Sequence, residues 1–219
     1  MQSDRPEWLS SLLRLLVSVL IVKVTIGIVL NLASYATPQF ESGFLNGRGA
    51  YFWEGYHLAF YTHIVTGPCS LLLGMVLLSE RFRRRFPGWH RKLGRVQVVC
   101  VLLLVSPSGL WMSLYAETGA VAGVGFGTLS VVTGMCVLAG WRLAVRRRFA
   151  GHRLWMLRCY VLLCSAVVLR LTAGLASISG VEGAWVYQMS AWASWLIPLT
   201  VFEVWQTRKR SRAAPATAS

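Results

Sequence analysis

Residues 81–115 read RFRRRFPGWHRKLGRVQVVCVLLLVSPSGLWMSLY. The first fifteen carry seven lysines and arginines, and the next twenty carry no charge at all. A helix rises about 1.5 Å per residue, so about 20 apolar residues cross a hydrocarbon core of roughly 30 Å. A basic turn that gives way at once to an uncharged stretch of that length predicts a transmembrane helix entered from a cation-rich side.

The same pattern recurs on either side. Apolar spans fall at 8–33, 57–79, 96–115, 121–141, 154–176 and 185–205. They predict an all-α, polytopic transmembrane helical bundle of about six helices. Composition agrees: 55% of the residues are hydrophobic and only 14% charged, against about 25% charged in a soluble domain. Mean hydropathy is +0.55. The six spans use most of the 219 residues and leave no room for a separate soluble domain. The first span, with Ser34-Tyr35-Ala36 behind it, has the outline of a signal peptide. Its apolar part is too long for one and Lys23 interrupts it, so it reads as a retained helix. Pro107 and Pro198 fall inside spans and are expected to kink them.

Charge sets the expected orientation. Residues 142–158 hold six basic side chains, and Arg208, Lys209, Arg210 and Arg212 add four, while Arg48 is alone between the first and second spans. This alternation puts both arginine-rich turns and both termini in the cytoplasm. The net charge of +14 reads as contact with anionic lipid head groups, not nucleic acid. Aromatic residues cluster near the span ends, Tyr51, Phe52, Trp53, Tyr56, Trp89 and Trp141 among them, as an interfacial belt requires. The five cysteines all lie in apolar spans without a CxxC, which argues against a disulfide framework.

The chain also repeats itself. Val65-Thr66-Gly67-Pro68-Cys69 resembles Val132-Thr133-Gly134-Met135-Cys136, and the run from Arg83 to Arg91 resembles that from Arg146 to Arg153. The expectation is a four-helix core of two parallel hairpin repeats over 57–176, preceded by a first helix and loop in 1–56. A sixth helix and basic tail follow in 177–219. Gly67, Gly74, Gly134 and Gly140 would give close helix packing.

Five residues stand out chemically. His63 and Arg170 each lie about six residues inside the end of a span remote from the arginines, hence at matching depth, roughly 9 Å below the boundary. An arginine there is costly and normally finds a partner, such as Glu117, Glu182 or a bound anion. Lys23, in mid-span, is a third ligand-binding candidate, with Glu203 its one conceivable carboxylate. His90 and His152 occupy equivalent repeat positions just before a helix and are candidate ligands for a metal or haem iron. There is no Walker motif, no GxGxxG after a strand and no HExxH, and Asp4 is the sole aspartate, so carboxylate-pair and two-metal chemistry are poorly supplied.

The elements His63…Gly67…Gly74, then His90-Arg91-x-x-Gly94-Arg95, then His152-Arg153-x-Trp155-Met156-x-Arg158-x-Tyr160, closing on Leu169-Arg170, resemble a bacterial family of predicted membrane proteins, domain of unknown function 2306 (DUF2306). The likeness spans roughly residues 57–175. It implies a bacterial inner-membrane location and no established activity. There is a fainter similarity to haem-b bundles of the cytochrome b561 type, from which the chain departs in having a histidine pair on one side only. The expected function is a membrane-embedded binding or redox module for a lipophilic ligand, with haem b or a quinone as the cofactor class. A small-anion transporter or channel and an assembly partner of a membrane complex are the alternatives.

Overall fold

The computed structural model describes residues 7–213; Asp4, the chain beyond 213 and the side chains of Trp8 and Arg212 lie outside the described residues. Six long helices account for the fold. They are α1 (Glu7–Leu30), α2 (His57–Leu78), α3 (Pro87–Ser113), α4 (Ala120–Val145), α5 (Phe149–Ile178) and α6 (Ala184–Ala213). Among the described residues there is no strand. The segments Leu15–Tyr35, Gly49–Leu78, Pro87–Ser113, Ala120–Val145 and Phe149–Ile178 are long and apolar enough to cross a membrane. At 30 residues α6 is as long, but its apolar side chains are interleaved with Gln188, Ser190 and Ser194. Both serines turn inward, at 9% and 1% exposure.

The helices α2, α3, α4 and α5 pack in a ring, each against the next, with α5 returning to α2. α1 lies on α2 and α5, and α6 lies on α4 and α5. Lipid tails are as apolar as leucine, so this association rests on close packing and on polar links between helices. Val101, Cys136, Val137, Cys159, Leu162 and Trp195 form the main core, while Ile21, Leu71 and Val167 pin α1 to the ring. Gly74 and Gly140 are true close approaches: a methyl on Gly74 would lie 2.8 Å from the Tyr160 ring, and one on Gly140 2.7 Å from Met156 Sδ. Gly67, expected to pack similarly, has nothing within 4 Å of that position.

Helix ends are less regular than the spans. α2 is led in by helical turns over Gly49–Tyr56 that break at Glu54 and Gly55, where φ reaches 108° at Gly55. That is a conformation glycine adopts without a Cβ clash. α3 begins at Pro87, nine residues before the apolar stretch at Val96; its first turns carry the basic residues on helical backbone. Between α2 and α3, Ser79 caps the turn Glu80–Arg85 by accepting from the Phe82 amide at 3.3 Å. Within that turn Arg84 donates to Glu80 at 2.6 Å; this hydrogen bond and the guanidinium charge hold the carboxyl below its usual range. Pro68 and Pro198 both sit inside continuous helices. Pro107 follows a π-type turn over Cys100–Val105.

Candidate functional site

The π-type turn is where the site begins. Pro107 has no N–H and its ring crowds the carbonyl four residues back, and the widened turn just before it absorbs the mismatch. The next residue, Ser108, donates its hydroxyl to the Leu104 carbonyl at 2.5 Å and lies 3.1 Å from that of Val105. Its one proton is therefore spent on backbone, and its oxygen is left as an acceptor. His63 Nδ1 on α2 is 3.1 Å from that oxygen. The network assigns the proton to Nδ1 and leaves Nε2 of the neutral ring with a free lone pair. Gly109 makes this contact between α2, α3 and α4 possible. A methyl group there would lie 2.8 Å from Ser130 Oγ and 3.0 Å from His63 Cε1. Gly109→Ala is expected to push the imidazole off Ser108; two-dimensional NMR of the labelled ring should then report loss of the fixed Nδ1–H tautomer.

Arg170 stands on the second half of α5, which breaks at Cys164 and restarts as Ser165–Ile178. Its Nη1 donates to the Ala166 carbonyl at 3.1 Å. The ion pairs among the described residues involve Arg83, Arg84 and Arg158 and leave Arg170 without a carboxylate, so Glu117 and Glu182 do not pair with it. Its charge is within electrostatic reach of His63 and of Tyr35 at the end of the short turn Asn31–Tyr35 that follows α1. The Tyr61 hydroxyl donates to the Tyr35 carbonyl at 2.8 Å and ties that end to α2. Arg170 is exposed on the surface of α5, so its charge reaches the buried side of His63 from outside the ring of helices, at the end of the bundle away from the arginine-rich turns.

Lys23 does not join them. Ile21 and Thr25 are the buried positions of α1, at 6% and 0% exposure, and Lys23 is exposed on the other side, lining a shallow outward groove with Ser18, Val19, Val22 and Ile26. It is also twelve residues from Tyr35, roughly 18 Å along the helix. Glu203, its one conceivable carboxylate, is taken by Arg158.

His90 and His152 come within electrostatic reach of each other at the basic end. His152 Nδ1 is 2.9 Å from the Gly140 carbonyl, an arrangement that orients a metal-binding imidazole, and His90 Nδ1 is buried without a partner. The donor set stops at two nitrogens: among the described residues no group of three or more His, Cys, Asp or Glu side chains is placed to hold a metal ion. A haem also needs a flat slot between its axial nitrogens. The two best-formed hollows among the described residues, about 430 and 220 Å³, are open grooves on the outward faces of α1 and α6, touching neither histidine. The residues present do not fit haem b.

Two polar constellations went unread in the sequence. Arg158 on α5 grips Glu203 on α6 through both oxygens, Nε–Oε1 at 2.5 Å and Nη2–Oε2 at 2.8 Å, with its guanidinium 4.6 Å over the Trp155 ring. The signal was available, since Glu203 is the lone carboxylate inside the sixth span. Deeper in the ring, Gln97 (2% exposed) donates to the Ser70 carbonyl at 3.0 Å beside the Tyr160 ring.

A bundle of membrane-length helices, cationic at one end and holding a histidine and an unpaired arginine inside its apolar spans, is an integral multi-pass membrane protein. A family model described as predicted membrane protein (DUF2306) matches residues 60–206, and the chain belongs to that family. The match takes in α2 to most of α6, one helix further than the motif resemblance reached. No curated protein and no solved structure matches the chain.

Proposed function

We propose that the protein is a membrane-embedded binding module for a lipophilic molecule with an oxygen-bearing head, of the quinone class, held by His63 and Arg170. One observation carries this reading. A guanidinium at the depth of an apolar span, exposed on α5, hydrogen-bonds among the described residues only to a backbone carbonyl, and its charge reaches an imidazole whose Nδ1 is held on Ser108. Charges at such depth are expensive, and a partner normally offsets the cost. Arg170 offers a charged donor for a carbonyl oxygen, and His63 Nε2 an acceptor for a hydroxyl. Together they suit the two ends of a quinone or quinol head. Lys23 and the His90–His152 pair stand outside this reading. The anion-channel reading needs a path joining Arg170 to Lys23, and the outward position of Lys23 speaks against one.

The test is titration of a short-chain quinone into the full chain in lipid nanodiscs. Arg170→Ala and His63→Ala are each expected to weaken binding about tenfold or more, the loss of one charge-assisted or oriented hydrogen bond, with little change in thermal stability. Unaltered affinity in both variants would end the proposal. The absorption spectrum of the purified protein should show no Soret band.

The wider setting is part of the same proposal. The seven and six cations in the two turns support a bacterial inner-membrane protein with both termini cytoplasmic. Descent of α2–α3 and α4–α5 from one hairpin is supported by matched detail: Thr66 donates to the Thr62 carbonyl at 2.6 Å and Thr133 to the Leu129 carbonyl at 2.7 Å, at corresponding positions of the two copies.

A further inference from the structure

The loop before α2 buries a charge. Arg48 is 4% exposed, and among the described residues no carboxylate lies within ion-pair distance of it. Its Nε donates to the Phe44 carbonyl at 2.8 Å, and its Nη1 to the Tyr115 carbonyl at 2.6 Å and the Tyr51 hydroxyl at 3.1 Å. The guanidinium carbon lies 4.7 Å from the centre of the Phe44 ring and 5.7 Å from that of Tyr56. Three acceptors and two aromatic faces solvate the group, but none neutralises it, and a buried charge normally has a counter-charge.

Clamping the loop to the end of α3 accounts for Nε and Nη1. It does not account for two further features. Arg48 Nη2 has no hydrogen bond among the described residues, and the Tyr56 hydroxyl is buried without a partner on a residue only 1% exposed. Buried hydroxyls are normally satisfied. Tyr187, brought in by the first turn of α6, comes within electrostatic reach of both Arg48 and Tyr56. The lead-in to α2 and the first turn of α6 therefore bring donors towards one positive charge, at the end of the bundle remote from the arginine-rich turns.

We infer that Arg48 Nη2, with the Tyr56 and Tyr187 hydroxyls, binds a singly charged oxyanion, either a carboxylate or a phosphodiester. One guanidinium balances one negative charge. The charge of Glu117 also reaches Tyr187, which penalises a dianion. Phe52, Phe60 and Tyr51 pack around Tyr56, so its hydroxyl sits at the edge of an aromatic cluster. The segment that covers the site turns at Gly43 and Gly47, with φ of 65° and 70°, and nothing crowds either glycine. The site is independent of His63 and Arg170.

The experiment uses the full chain in zwitterionic nanodiscs and reads the unfolding temperature. One arm titrates acetate and benzoate against chloride at constant ionic strength. The other raises the fraction of phosphatidylglycerol. A saturable rise in either arm is expected, and the arm that responds names the source of the oxyanion. Tyr56→Phe keeps the ring in the core and loses no existing hydrogen bond; it should weaken the anion effect about tenfold while leaving the anion-free unfolding temperature in place. Arg48→Lys should weaken it further, and Arg170→Ala should leave it intact. A flat response in both arms, or a Tyr56→Phe protein that responds like the wild type, overturns the assignment.

Discussion

Arg158→Ala is expected to lower the stability of the folded bundle by about 2–3 kcal/mol, and to free α6 from α5 at the basic end. The pair it destroys is bidentate and links residues 45 positions apart in sequence on consecutive helices. The side chains are 18% and 38% exposed, so the 3–5 kcal/mol typical of breaking a fully buried pair is discounted for partial solvent access. Much of the loss is the Glu203 carboxylate left without its partner. Glu203→Ala strands the arginine in turn, and the double variant should therefore be less damaged than the two single effects summed. Chemical unfolding in mixed micelles measures all three. Strict additivity would mean that the two charges do not hold the helices together.

Gly74→Ala should cost a further about 1–3 kcal/mol, the range for forcing volume into a filled interior. The added methyl meets the Tyr160 ring at 2.8–3.0 Å and Gln97 Nε2 at 3.4 Å. The ring cannot slip aside without disturbing α1, because Tyr160 also backs the cluster of Ile21, Leu71 and Val167. Gly67→Ala is the internal control, with open space where its methyl would go. A Gly74 variant as stable as the Gly67 variant would remove the close α2–α5 contact from the account of packing.

These contrasts show what the sequence can and cannot carry. The spans were legible because length and hydropathy are local properties, and about 20 uncharged residues have few other uses. Their ends were not: the Pro87 and Phe149 starts lie among arginines, where helical backbone continues past the last apolar residue. His63 and Arg170 drew the eye in the sequence because charges at that depth are rare. The Arg158–Glu203 clamp was not, since Arg158 reads as one more cation of a basic turn until α6 is folded against α5. Arg48 failed for the same reason: a lone loop arginine looks solvated, and only the Phe44 and Tyr115 carbonyls reveal that it is enclosed. Lys23 marks the converse limit, because depth along a span says nothing about which side of the helix a residue occupies.

The interruption of α5 has its own consequence. At Cys164 the amides of Val167 and Val168 both turn onto one carbonyl, at 2.9 and 3.2 Å, so the rod is jointed there. Arg170 is six residues beyond, a lever of roughly 9 Å. A tilt of about 10° at the joint carries the guanidinium roughly 1.5 Å sideways while α4 keeps its grip on the lower half of the same helix. The angle at this joint thus sets how far that cation stands from the imidazole, while α6 and α1, packed on the upper half, hold the angle in place.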